Sequence, residues 1–231
     1  MSNFKNLVKS CVELQHKFNL KVNPNYLKEL TPVHWTLAIH QEVSEAIDSL
    51  NWKWWKDVNK PIDVDNLKIE TVDILHFVIS FYLSLAEGNI EEVTNAIAKI
   101  KEVQAEPVDA ITLAYLNSVL MSVTCTFFSD PESISPEEAL AIIAGTPLQI
   151  LKSLMETCNL QEDELFKLYI LKSALNKLRQ DYGYKEGKYQ KIWDGMEDNR
   201  YLLKLLEKDV DDIDDAYEML KDVYESVAKQ Q

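Results

Sequence analysis

Apolar positions recur at helical spacing from the start of the chain. Phe4, Leu7, Val8, Cys11, Val12 and Phe18 form one stripe of an amphipathic helix over about residues 3–18. Thr31-Pro32 opens a second helix, with proline in the first turn where its missing N–H costs nothing; it runs to about Leu50 through Leu37, Ala38, Val43, Ala46 and Ile47. From 65 to 85 nearly every face is apolar, from Leu67 and Ile69 through Ile74, Leu75, Phe77, Val78 and Ile79 to Leu85. A helix apolar all round has to be buried, so this one is expected at the centre of the fold. Gly88-Asn89 ends it. Residues 90–160 read as more ordinary helices, with a capping box at Ser135-Pro136-Glu137-Glu138 and a helix stop at Gly145-Thr146-Pro147. A long helix resumes at 162–181, stopped by Gly183; a loop spans 183–199, and a last short helix follows the acidic run from Asp209 to Asp215. No strand pattern exceeds a few residues and no repeat occurs, so the predicted fold class is an all-α helical bundle. Its expected organisation is a helical core of residues 1–88 and 160–231, with an inserted helical subdomain, 89–159, in a structural or lid role.

Composition narrows the function classes. The 231 residues are 46% hydrophobic, enough for a core, and carry a net charge of −14, which argues against nucleic acid or an anionic membrane as partner. Five glycines leave no room for the usual glycine-rich phosphate cradles, so any phosphate has to be held by side chains and metal. Cys11, Cys125 and Cys158 are widely spaced and odd in number, which fits apolar fillers in a reducing, cytoplasmic compartment. Met1-Ser2-Asn3-Phe4-Lys5 carries no signal pattern, and charged residues are expected to interrupt every apolar stretch short of 18 residues, so a soluble chain is expected.

Two charge patterns carry candidate chemistry. Glu42 and Glu45 lie three apart on the second helix, and Glu70 and Asp73 three apart on the apolar one, so each pair shares a helix face. Ionised carboxylates among Ile, Leu and Val are costly to bury unless paired or metal-bound. Oxygen-only ligands select magnesium first and manganese second; a solvent-facing acidic stripe would carry the same spacing. The second pattern is basic. Residues 167–191 hold seven basic against two acidic side chains, a local charge of +5, with Lys172, Asn176 and Arg179 on one helical stripe suited to phosphate oxygens or to complementing the acidic tail. Gln15 and Asn19, one turn apart, could pair with a base edge, and Trp52, Trp54 or Trp55 could stack on a ring or simply pack. His76 could donate to a sugar hydroxyl or sit satisfied in the core.

Taken together, Glu42-Val-Ser-Glu45, Trp52-Lys-Trp-Trp-Lys56, Glu70-Thr-Val-Asp73-Ile-Leu-His76, Lys172-x-x-x-Asn176-x-x-Arg179-Gln180 and Gly183-Tyr184-Lys185 resemble the dimeric all-α dUTP pyrophosphatases of the MazG-like superfamily. The likeness continues through Gly187-x-Tyr189-x-Lys191-x-Trp193-x-Gly195-x-Glu197-Asp198-Asn199, while residues 90–160 fall in a part that varies in the family. The resemblance implies a homodimer that hydrolyses dUTP, and also dUDP, to dUMP, with magnesium on Glu42, Glu45, Glu70 and Asp73 and water activated by Glu42 or Glu45. It implies attack at the β-phosphorus, phosphates held by Lys172, Asn176, Arg179, Lys185 and Lys191, and uracil and deoxyribose read by Gln15, Asn19, Trp52 and His76. Ser173 and Tyr182 depart from the family's usual residues. Competing readings are a pyrophosphatase that accepts dCTP or other nucleotides, a metal-carboxylate bundle of another kind, and a non-catalytic helical scaffold; a di-iron bundle carries Glu-x-x-His on two helices, whereas this chain has it once, at Glu13-Leu14-Gln15-His16, which speaks against that reading.

Overall fold

The computed structural model describes residues 2–57, 59–208, 210 and 212–228; Asp209 and Asp211 of the acidic run lie outside the described residues. These residues form ten α-helices, two short 3-10 segments and one two-stranded hairpin, an all-α fold. They divide into two compact units, residues 1–162 and 163–231.

The first unit is built on α4 (Val64–Leu85), as its all-apolar pattern requires. Leu67, Ile74, Leu75, Ile79 and Leu83 are fully buried, each contributing roughly 1.5–3 kcal/mol. Asp63 caps the N-terminus by accepting from the Asn66 N–H at 3.1 Å. The far end stops where Gly88 adopts φ +83; a Cβ there would lie 2.9 Å from Leu27 Cδ1, so a residue with a side chain would be strained and crowded. Around α4 pack α1 (Ser2–Val22), α3 (Pro32–Ser49), α5 (Ile90–Ala98) and α7 (Pro136–Cys158); α6 (Ala110–Ser129) lies against α3 and α7. Residues 89–159 thus pack directly on the N-terminal helices.

Several boundaries differ from the sequence reading. The first helix continues to Val22, and a one-turn helix, α2 (Tyr26–Glu29), follows it. Gly145-Thr146-Pro147 does not stop α7. Pro147 is buried inside the helix, whose apolar stripe Ile143, Leu148, Ile150, Leu151 and Leu154 is buried on both sides of it. Those side chains together outweigh the roughly 3 kcal/mol that an interior proline costs. Charges do not interrupt every apolar stretch either: Ala110–Ser129 contains none, and both α6 and α7 are long and apolar enough by composition to cross a membrane. Half of that window of α7 is buried, but only 22% of that of α6.

The second unit holds α8 (Glu162–Asp181), α9 (Asp198–Lys204) and α10 (Ile213–Ala228). The segment 183–199, expected as a loop, contains a hairpin: β1 (Ile192–Trp193) pairs antiparallel with β2 (Met196–Glu197). Asp194 and Gly195 turn it at φ +48 and +79, the left-handed pair a two-residue hairpin turn requires. Trp193 is fully buried and its indole N–H donates to the Gln190 carbonyl at 3.0 Å, which pins the hairpin. α10 is longer than a short helix and buries Ala216, Leu220 and Tyr224, one residue per turn.

Candidate active site

In the first unit, three of the four predicted carboxylates converge. Glu42 and Glu45 project from α3 and Glu70 from α4, and one oxygen from each lies within 4.8 Å of the others. Glu70 is buried at 9% exposure among the apolar residues of α4. It is oriented by Asn66, whose Nδ2 donates to Glu70 Oε1 at 3.1 Å and to Ser49 Oγ at 2.8 Å. Gln41 Nε2 donates to Glu45 Oε1 at 3.2 Å. Asp73, one turn beyond Glu70 and half-buried, falls outside the triad. Two unit charges about 4 Å apart repel by about 4 kcal/mol at the effective dielectric of a protein surface, so three close carboxylates invite a cation. The donor set is oxygen only, and it fits a hard divalent ion such as magnesium.

Gln15, Asn19 and His76 meet in one network between α1 and α4. Gln15 Nε2 donates to Asn19 Oδ1 at 2.9 Å, Gln15 Oε1 pairs with His76 Nδ1 at 3.0 Å, and Asn19 Nδ2 donates to Ser80 Oγ at 3.0 Å. Ser80 in turn donates to the His76 carbonyl at 3.0 Å, so the two amides of α1 are tied to α4 through both His76 and Ser80. Trp52 belongs to a different cluster. It packs edge-on against Trp55 with ring centroids 5.2 Å apart, and Trp55 against Trp54 at 5.6 Å. All three indoles are exposed, Trp54 by 78%. Lys53 beside them is held to Asp48 at 2.6 Å.

In the second unit, the predicted basic stripe is organised by residues the sequence reading assigned no role. Asp198 opens α9 fully buried and takes Arg179 in a two-point pair, Nε to Oδ2 at 2.8 Å and Nη2 to Oδ1 at 2.7 Å. Asn199 Oδ1 accepts from both Arg179 Nη2, at 3.0 Å, and Lys172 Nζ, at 3.2 Å. Tyr189 donates its hydroxyl to Asp198 Oδ2 at 2.9 Å. Burial works against the Arg179 charge, but its bonds to Asp198 and the field of that carboxylate win, and its pKa is raised; burial and the same carboxylate push the Tyr189 phenol up. The guanidinium is therefore permanently charged and fixed along its Nε/Nη2 edge, while among the described residues Nη1 makes only a long 3.4 Å bond to Asn176 Oδ1. Lys185 and Lys191 are exposed, the latter 3.6 Å from Glu197. Tyr182, one of the departures, donates to Glu225 Oε1 at 2.7 Å, which together with burial lifts its phenol to about 12.

The sequence profile of the family described as dUTPase matches residues 7–184. The chain belongs to the dUTPase family. It is a dUTP diphosphatase, a hydrolase of the all-α kind. No curated protein matches the chain. The profile covers all four predicted carboxylates and the α8 stripe of this dUTPase, but it ends at Tyr184, before Lys185, Lys191 and the Tyr189, Asp198 and Asn199 group.

Proposed function

We propose that this dUTPase converts dUTP to dUMP and pyrophosphate, and dUDP to dUMP and phosphate, at a magnesium site formed by Glu42, Glu45 and Glu70 with Asp73. The observation that carries the reading is the convergence of three carboxylates from α3 and α4 within 4.8 Å. Magnesium bound there, or manganese in its place, supplies charge neutralisation on the phosphate oxygens and lowers the pKa of water. Glu42 or Glu45 takes the proton of a water whose oxygen attacks the β-phosphorus. The bond from that phosphorus to the bridging oxygen breaks, and dUMP leaves with the bridging oxygen. Lys172, Asn176, Arg179, Lys185 and Lys191 bind the phosphate oxygens, with Arg179 held ready by Asp198. Gln15, Asn19 and His76 read the uracil and sugar, their mutual bonds fixing each amide's orientation, and Trp52 borders the base. Release of pyrophosphate and phosphate from dUTP, dUDP, dCTP and dTTP, with and without magnesium, tests this. Magnesium-dependent release from dUTP and dUDP alone is expected; equal turnover of dCTP would overturn the uracil assignment, and turnover in chelator would overturn the metal.

The working form on this reading is a homodimer in the cytoplasm. α6 supports the first part: Ile111 and Tyr115, one turn apart, are 81% and 67% exposed on a helix without charges, an apolar face suited to a second copy. Sedimentation velocity should give a dimer for the native chain and a monomer for the Ile111→Glu/Tyr115→Glu variant. The free thiols of Cys11, Cys125 and Cys158 suit a reducing compartment.

A further inference from the structure

The last helix carries a polar and aromatic chain that ends on Arg179. Tyr224 of α10 is 5% exposed and stacks on Tyr189, ring centroids 4.9 Å apart and planes 5° from parallel. It also meets Tyr182 at 4.7 Å and Trp193 at 5.8 Å, and its hydroxyl accepts from the Gln190 N–H at 3.2 Å. α10 is keyed to the end of α8 and the residue after it by two further bonds, Tyr217 to Asp181 at 2.8 Å and Tyr182 to Glu225 at 2.7 Å. Tyr189 therefore has little freedom, and its hydroxyl lands on the Asp198 oxygen that also accepts Arg179 Nε.

We propose that Tyr189 and Tyr224 are positioning residues of this dUTPase, which set the pose of Arg179 through Asp198. Phenylalanine at 189 would fill the same space. A phenol 9% exposed is costly to bury, and what it gains here is a fixed Asp198. Asp198 Oδ1 is held by the Asn199 N–H at 2.8 Å, which leaves Oδ2 to swing and carry the arginine with it; the Tyr189 bond to Oδ2, with the ring stack behind it, fixes that second oxygen. The consequence is an Arg179 whose Nη1 side is presented in one orientation, which lowers the ordering cost of binding an anion. All of these residues except Arg179, Asp181 and Tyr182 lie beyond the stretch matched by the family profile. The inference rests on the reading that Arg179 binds phosphate, and the experiment separates the two.

Steady-state kinetics with dUTP are measured for Arg179→Ala, Tyr189→Phe, Tyr224→Ala and Tyr224→Phe, and for Tyr189→Phe combined with Arg179→Ala. Tyr189→Phe is expected to raise KM roughly fivefold, about one hydrogen bond's worth, with kcat nearly unchanged. Tyr224→Ala should follow it and Tyr224→Phe, which keeps the stack, should stay near the native values. In the Arg179→Ala background Tyr189→Phe should have no further effect, since the group it positions is gone. A full Tyr189→Phe penalty in that background overturns the proposal in favour of plain packing, as does native KM for Tyr189→Phe alone. Native kinetics for Arg179→Ala would overturn the phosphate reading itself. Should Tyr224→Ala fail to fold, the Tyr189→Phe cycle decides the matter alone.

Discussion

Glu70→Ala is expected to lower dUTP turnover by roughly 100- to 1,000-fold, and to do so without weakening the metal-free fold. Glu70 comes from the buried helix α4, where its carboxylate faces those of Glu42 and Glu45 within 4.8 Å. Without a cation the three repel one another, so deleting one relieves the fold, apart from the Asn66 bond to Glu70 Oε1 at 3.1 Å that is lost. With a cation the same deletion removes an oxygen ligand. The native protein should gain stability on adding magnesium, about 2.7 kcal/mol at a hundred times the Kd, and the variant should gain far less. Urea unfolding in chelator and in magnesium, beside pyrophosphate release, reads both quantities. An equal magnesium gain in the two proteins, or turnover within tenfold of native, would defeat the metal assignment. Glu70→Gln adds a control: it keeps the volume and an oxygen for Asn66 but not the charge, and it should match Glu70→Ala in turnover.

The sequence made legible what depends on periodicity. α4 reads as central because nearly all its positions are apolar, and α8 begins and ends where Glu162 and Gly183 predict. The three converging glutamates were likewise within reach, since i, i+3 spacing on two helices fixes which face each occupies. What failed was punctuation and pairing. Pro147 reads as a stop by its local chemistry, yet burial of the stripe around it keeps α7 continuous. The hairpin at 192–197 was signalled by Asp194-Gly195, but two-residue strands give alternation too little length to register. Which of the four carboxylates draw within 4.8 Å of one another is a separate matter: Asp73 shares a face with Glu70 on the helix and remains part of the proposed magnesium site, but the distances depend on how α3 lies on α4, which spacing within one helix does not encode. Asp198 was hidden for another reason. In sequence it is one acid beside Glu197 near a loop, and only the fold shows it fully buried, with Arg179 as its partner 19 residues away.

That burial makes Asp198→Ala the larger stability test, with an expected loss of about 3–5 kcal/mol. Asp198 has no exposed surface, and the Arg179 side chain is only 13% exposed. Alanine would leave the guanidinium with Asn199 and Asn176 as its remaining listeners and would strand the Tyr189 hydroxyl, so the charge and the phenol both lose their compensation. Urea midpoints compared at constant slope measure the loss. Replacing both partners, Arg179→Met with Asp198→Leu, separates stability from function. An apolar pair of similar volume leaves no buried charge uncompensated and should recover most of the stability. It should not recover dUTP binding, because the fixed cation is gone. A double variant that is stable and still binds dUTP with native KM would show that the pair only holds the fold together; a stable variant with a raised KM places the demand for this buried ion pair in the substrate, where a hydrophobic pair could not meet it.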